Sequence, residues 1–146
     1  MQTSFTDKQL LDKDNKSSES ILRKCVHCGM CNATCPTFCV NGEELEGPRG
    51  RIYLIKDMLE NKKPANKKVV KHIDSCLSCY SCMTTCPSGV NYMHLIDHGR
   101  NYVEETYKRP FFDRLFRNVL SFVLPRPKVF LVLAYLTKLI KPFSFL

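Results

Sequence analysis

Nine cysteines are the residues of this 146-residue chain best suited to chemistry, and eight of them form two blocks of identical spacing. Cys25, Cys28, Cys31 and Cys35 stand at intervals of three, three and four in CVHCGMCNATCP, which Pro36 closes. Cys76, Cys79, Cys82 and Cys86 repeat the frame in CLSCYSCMTTCP, which Pro87 closes. A Cys-x2-Cys-x2-Cys loop can supply thiolates to three corners of an iron–sulfur cubane. The fourth cysteine, before the proline, is carried away from that loop and in two-cluster ferredoxins ligates the other cluster. The expected ligand sets are therefore crossed. Cys25, Cys28, Cys31 and Cys86 hold one [4Fe-4S] cluster, and Cys76, Cys79, Cys82 and Cys35 hold the second. Such a crossing ties two distant segments together, so cluster binding should contribute to folding.

The competing chemistry is structural zinc, which usually takes two separated Cys-x2-Cys pairs. Three cysteines at x2 spacing with a fourth before proline, repeated whole, fit the cubane instead. Cys39 is left over and is expected to be a small buried apolar residue rather than a redox-sensitive thiol. His27 lies inside the first loop but is expected not to ligate. His72, His94 and His98 fall on helical stretches and are read as ordinary exposed or core histidines. Gly29 is expected to let the backbone approach a cluster. Arg49 and Arg51 either place positive charge near the clusters or simply start a helix. The sequence contains no hydrolytic constellation, dinucleotide fingerprint or P-loop, and no catalytic residue is expected. The chain reads as an electron relay.

The elements that must position these cysteines are helical. Residues 1–24 form a polar leader running into a short helix, for which Ser18 or Ser20 is the expected cap. TFCVNGEELEGPRG is expected to be a loop, with Pro48 in the first turn of a helix whose apolar positions are Ile52, Ile55, Met58 and Leu59. VVKHID leads helically into the second block. NYMHLIDHGRNYVEET keeps Tyr92, Leu95, Ile96, Gly99, Tyr102 and Val103 in helical phase. No stretch alternates as a strand would. Expected, therefore, is a mainly α chain in which helices position the cysteine blocks within 25–106 and short basic apolar helices follow at 107–146.

Charge and composition narrow the function. The net charge is +8, and residues 107–146 hold eight basic and one acidic side chain among 23 apolar residues. That segment's longest apolar run, VFLVLAYL, is far short of the roughly 20 residues a bilayer span requires. Two short basic helices remain, suited to docking on protein or to an anionic membrane surface. A zinc-bearing nucleic-acid binder is disfavoured, because the charge sits in the apolar tail rather than among the cysteine modules. The N-terminal stretch has no apolar h-region, so the expectation is a cytoplasmic protein without disulfides, with peripheral contact to the inner face of the membrane as the tail's second reading.

CVHCGMCNATCP, GPRGRIYLIKDMLE and CLSCYSCMTTCPSGVNY followed by LIDHGR together resemble the N-terminal two-cluster part of the iron–sulfur subunit of bacterial glycolate oxidase (glycolate dehydrogenase). The resemblance implies an α-helical ferredoxin-type domain at 25–106 with two [4Fe-4S] clusters on the crossed cysteine sets. It also implies flavin-containing partner subunits that oxidise glycolate to glyoxylate, with (R)-lactate to pyruvate as a second reaction, and electron delivery toward a quinone. Subunits of lactate and glycerol-3-phosphate dehydrogenases have related motifs. Family members continue with two cysteine-rich repeats bearing Cys-Cys-Gly motifs, and residues 107–146 resemble the approach to that region.

Overall fold

The computed structural model describes residues 1–140, with side chains to 136, and contains helices and no strand among them. Two compact units are distinguished, Met1–Tyr107 and a second beginning at Lys108. The first carries α1 (Lys13–Lys24), α2 (Pro36–Asn41), α3 (Pro48–Asn61), α4 (Lys67–Asp74), α5 (Ser81–Thr84) and α6 (Tyr92–Thr106).

The helix starts follow from local chemistry. The Asp12 carboxylate accepts from the Asp14 amide, so α1 begins earlier than the serines suggest. Ser18 lies buried inside the helix, with its hydroxyl 2.7 Å from His98 Nδ1. Asn66 and Asn91 cap α4 and α6 by accepting from the Val69 and His94 amides, which satisfies donors a helix start leaves open. Pro48 occupies the first turn of α3, as its fixed φ allows. The stretch expected to be one loop is largely helical. Pro36 starts α2, Gly42 ends it at φ +65°, and a 3-10 turn at Glu44–Glu46 precedes α3.

The core lies where α1, α3, α4 and α6 meet. Leu22, Ile55, Ile73, Leu95 and Ile96 are completely enclosed, with Ile52, Met58, Leu59, Val70 and Val103 around them. Each contributes about 1.5–3 kcal/mol by leaving water. Gly99 permits the close crossing of α3 and α6, since a Cβ there would lie 2.8 Å from Ile55 Cγ1. The cysteine blocks connect these helices, block one between α1 and α2 and block two between α4 and α6, with Cys25, Cys35 and Cys82 buried and Cys28 and Cys79 exposed.

The second unit consists of α7 (Phe111–Val123) and α8 (Pro127–Ile140), bent 112° about the intervening turn. Phe111, Phe112, Phe116, Phe122 and Phe130 are exposed. No single described helix is long and apolar enough to cross a membrane. The last six residues of the expected tail, 141–146, lie outside the described ones.

Candidate metal centres

The two cysteine blocks share a backbone as well as a spacing. In the first, His27 and Gly29 have φ of 59° and 81°; in the second, Ser78 and Tyr80, at the same places in the frame, have φ of 53° and 56°. A short helical turn follows each, at Met30–Asn32 and Ser81–Thr84. Left-handed residues alternating with ordinary ones turn successive amides toward one side and form an anion-binding concavity, as at many iron–sulfur sites. Gly29 adopts its positive φ without the strain a side chain brings, whereas Tyr80 bears that strain at the same place in the second block. Arg100 braces the second loop, donating to the Ser78 hydroxyl and to the Cys76 carbonyl, each at 2.7 Å.

Each loop opens on a hollow. The first is lined by Cys25, Cys28, Cys31, Cys86 and Cys82, with Pro48, Ile52 and Val90 between them. The second is lined by Cys35, Cys76, Cys79 and Cys82. Cys86 therefore sits with the first block's three leading cysteines, and Cys35 with those of the second. Cys82, Pro48 and Tyr92 border both hollows and form the partition between them. All nine cysteines are free thiols.

Electrostatics suit a metal that brings its own charge. Burial pushes the Cys31 thiol up to about 11 and the Cys82 thiol up to about 12, and neighbouring cysteines add to both. Metal binding must displace those protons. The donor set is soft sulfur, gathered in fours within mainly apolar walls, and it fits iron–sulfur cubanes.

The remaining candidate residues separate clearly. His27 Nδ1 lies 3.7 Å from Cys25 Sγ, close enough to donate to the sulfur. His72, His94 and His98 line neither hollow. Cys39 is exposed rather than buried, because α2 is a six-residue surface helix without a buried side chain; its thiol donates to the Ala33 carbonyl at 3.4 Å. Arg49 lines the first hollow while half-exposed and paired with Glu44 at 3.4 Å. Arg51 lines the second and is fully buried.

Around Arg51 lies a polar network that sequence reasoning missed. Arg51 Nη2 donates to Glu46, Thr37 and Ser75 at 3.0 Å each, and Nε to the His72 carbonyl at 2.6 Å. His72 Nδ1 is 2.8 Å from the Glu46 carboxylate, and the Ser75 hydroxyl donates to that carboxylate. Glu43, Glu46 and His72 lie close enough to suggest a cation site. Glu46 is already engaged by Arg51, Ser75 and His72, so we read the group as an ion-pair network. The Thr37 hydroxyl lies 3.2 Å from Cys35 Sγ. The Cys35 thiol lies 3.6 Å from the Glu46 carbonyl, a bond given up when the sulfur is a thiolate.

Comparison with known proteins agrees with this geometry. Residues 21–90 match the 4Fe-4S dicluster domain model. The glycolate oxidase iron–sulfur subunit of Escherichia coli is 49% identical over 98% of this chain and 35% of its own length. A probable glycolate oxidase iron–sulfur subunit of Bacillus subtilis is 32% identical over 77% of this chain and 26% of its own. The mitochondrial succinate dehydrogenase [ubiquinone] iron–sulfur subunit of Candida glabrata is 27% identical over 53% of this chain and 33% of its own. The chain thus spans about a third of the length of these curated relatives. No solved structure matches it.

Proposed function

We propose, from the match of residues 21–90 to the 4Fe-4S dicluster domain and the likeness to glycolate oxidase iron–sulfur subunits, that the chain carries two [4Fe-4S] clusters and is the electron-transfer part of a glycolate-oxidising dehydrogenase. Oxidation of glycolate to glyoxylate releases two electrons and two protons, while each cluster, when bound, accepts and returns one electron. The partner that performs the oxidation must therefore take a pair of electrons and give them up singly, which is flavin chemistry. A quinone is the acceptor we propose; the yeast relative's name includes ubiquinone. (R)-Lactate is the second substrate of the same reading, being another 2-hydroxy acid. We place the protein in the cytoplasm, its second unit docked on a partner subunit or resting on the inner face of the membrane.

The ligand roles are part of this proposal: Cys25, Cys28, Cys31 and Cys86 for one cluster, and Cys35, Cys76, Cys79 and Cys82 for the other. The observation that carries it is the gathering of these eight sulfurs, four from each block, about two hollows with one shared partition. Cys82 and Tyr92, both buried, line both hollows and so keep the two sites adjacent. The alternative is the same relay serving another flavin dehydrogenase, of lactate or glycerol 3-phosphate. Anaerobic purification from the native cell separates the two. Iron, flavin and glycolate-dependent reduction of a quinone analogue should co-elute with the chain. Co-elution with a flavoprotein inert toward glycolate would overturn the substrate assignment.

A further inference from the structure

The polar groups facing the sulfurs differ between the two hollows. At the second, Arg51 Nη1 donates to Cys35 Sγ at 3.8 Å, and the Tyr92 hydroxyl donates to Cys76 Sγ at 3.7 Å. Arg51 is 1% exposed and Tyr92 4%. The guanidinium is fixed by Glu46, Thr37, Ser75 and the His72 carbonyl through Nη2 and Nε, which leaves Nη1 directed at the sulfur.

The first hollow has no buried cation among its lining residues. The Val90 amide donates to Cys86 Sγ at 3.5 Å, and the His27 ring approaches Cys25 Sγ at 3.7 Å. Arg49, the cation lining this hollow, is half-exposed and paired with Glu44, so water screens it.

Hydrogen bonds to the sulfurs, local charge and solvent exposure set the potential of a cluster. A donor draws electron density from a thiolate sulfur and so favours the reduced, more negative state. A cationic donor does so more strongly than a neutral one, and more strongly again where water is excluded. We propose that Arg51 and Tyr92 make the site of Cys35, Cys76, Cys79 and Cys82 the higher-potential one of the two, the site reduced first. This rests on the reading that the eight cysteines hold two clusters. Arg51 and Tyr92 act here as positioning residues for sulfur charge.

The test is a redox titration followed by electron paramagnetic resonance on the cluster-loaded chain, its Tyr92→Phe variant and the double variant Arg51→Gln/Glu46→Gln. The double variant removes both members of the ion pair and leaves the net charge unchanged. Two reduction waves are expected in the native chain. In the double variant the upper wave falls by at least a tenfold change in its equilibrium, which is about 59 mV for one electron. Tyr92→Phe moves the same wave down by less, and the lower wave stays in place in both. A single native midpoint, movement of the lower wave alone, or an unmoved upper wave at full iron content would overturn the proposal. If the double variant fails to load, Tyr92→Phe decides by the same criteria. A native chain that binds zinc but no iron shows no wave at all, and that outcome overturns the cluster reading itself.

Discussion

Arg51 Nη2 and the Glu46 carboxylate meet at 3.0 Å with both side chains buried. A buried pair of this kind adds little net stability over an apolar packing, but removing one partner strands a charge in a dry site. The pair joins the start of α3 to the turn before it and, through His72 and Ser75, to α4 at the approach to the second cysteine block.

Arg51→Met alone is therefore expected to destabilise the chain by about 3–5 kcal/mol. Replacing Glu46 by glutamine in the same chain should restore at least half of that loss. Urea unfolding of the cluster-loaded single and double variants measures both. Additive losses would show that the two side chains are not coupled.

Cys39 is the cysteine outside the two hollows, and it is exposed. Alkylation of the loaded protein should modify one thiol per chain, mapped to Cys39 by mass spectrometry, and spare the eight others. Cys39→Ser should abolish the fast labelling and leave the visible spectrum unchanged. Bleaching of that spectrum in Cys39→Ser would give Cys39 a role in a cluster.

His98 sets an acid limit. Its ring is partly buried, next to the Ser18 hydroxyl, and desolvation depresses its pKa, with nearby Asp14 acting in the opposite direction. With the folded pKa below the unfolded one, the unfolded chain binds the proton first. Stability is full above about pH 6.5 and falls as the pH drops from there toward the folded pKa. The thermal midpoint at pH 5.5 should lie below that at pH 7.5, and His98→Gln should narrow the gap. An unchanged gap in His98→Gln would assign the acid sensitivity elsewhere.

Gly29 sits at φ +81°, and a Cβ there would meet Arg49 Nη1 at 3.0 Å. Gly29→Ala should cost about 1–2 kcal/mol for the left-handed backbone, with Arg49 yielding. Loss should appear first as slower cluster loading of the first block, seen in the rate at which visible absorbance develops. Loading at the native rate would show that the loop does not depend on this backbone angle.

Much of this was legible in the chain. Cysteine spacing is a covalent pattern, so the two blocks could be read directly from Cys25–Pro36 and Cys76–Pro87, and their spacing is what raised the crossed sharing proposed above. The long helices were legible because Ile52, Ile55, Met58 and Leu59, like Leu95, Ile96 and Val103, repeat at helical spacing. The short α2 was not, since six residues carry no period and its signals, Pro36 and Gly42, also suit a turn. The exposure of Cys39 follows from that same missed helix. The burial of Arg51, Glu46 and His72 was hidden because charged side chains give no sign of being enclosed until α3, α4 and the Glu44–Glu46 turn are packed together. Tyr92 read as one more apolar helix position, and its hydroxyl contact with Cys76 emerged only in three dimensions.

The central claim is that each block lends its fourth cysteine to the other's cluster, and paired serine substitutions with iron analysis test it most directly. Loss of either site should leave about four irons per chain where the native chain holds about eight. Cys35→Ser with Cys76→Ser should do no more damage than either alone and retain about four, because both residues serve one site. Cys35→Ser with Cys25→Ser should leave close to none. The reverse result, four irons surviving Cys35→Ser/Cys25→Ser and none surviving Cys35→Ser/Cys76→Ser, would mean that each block closes its own site, and the crossed arrangement would be wrong.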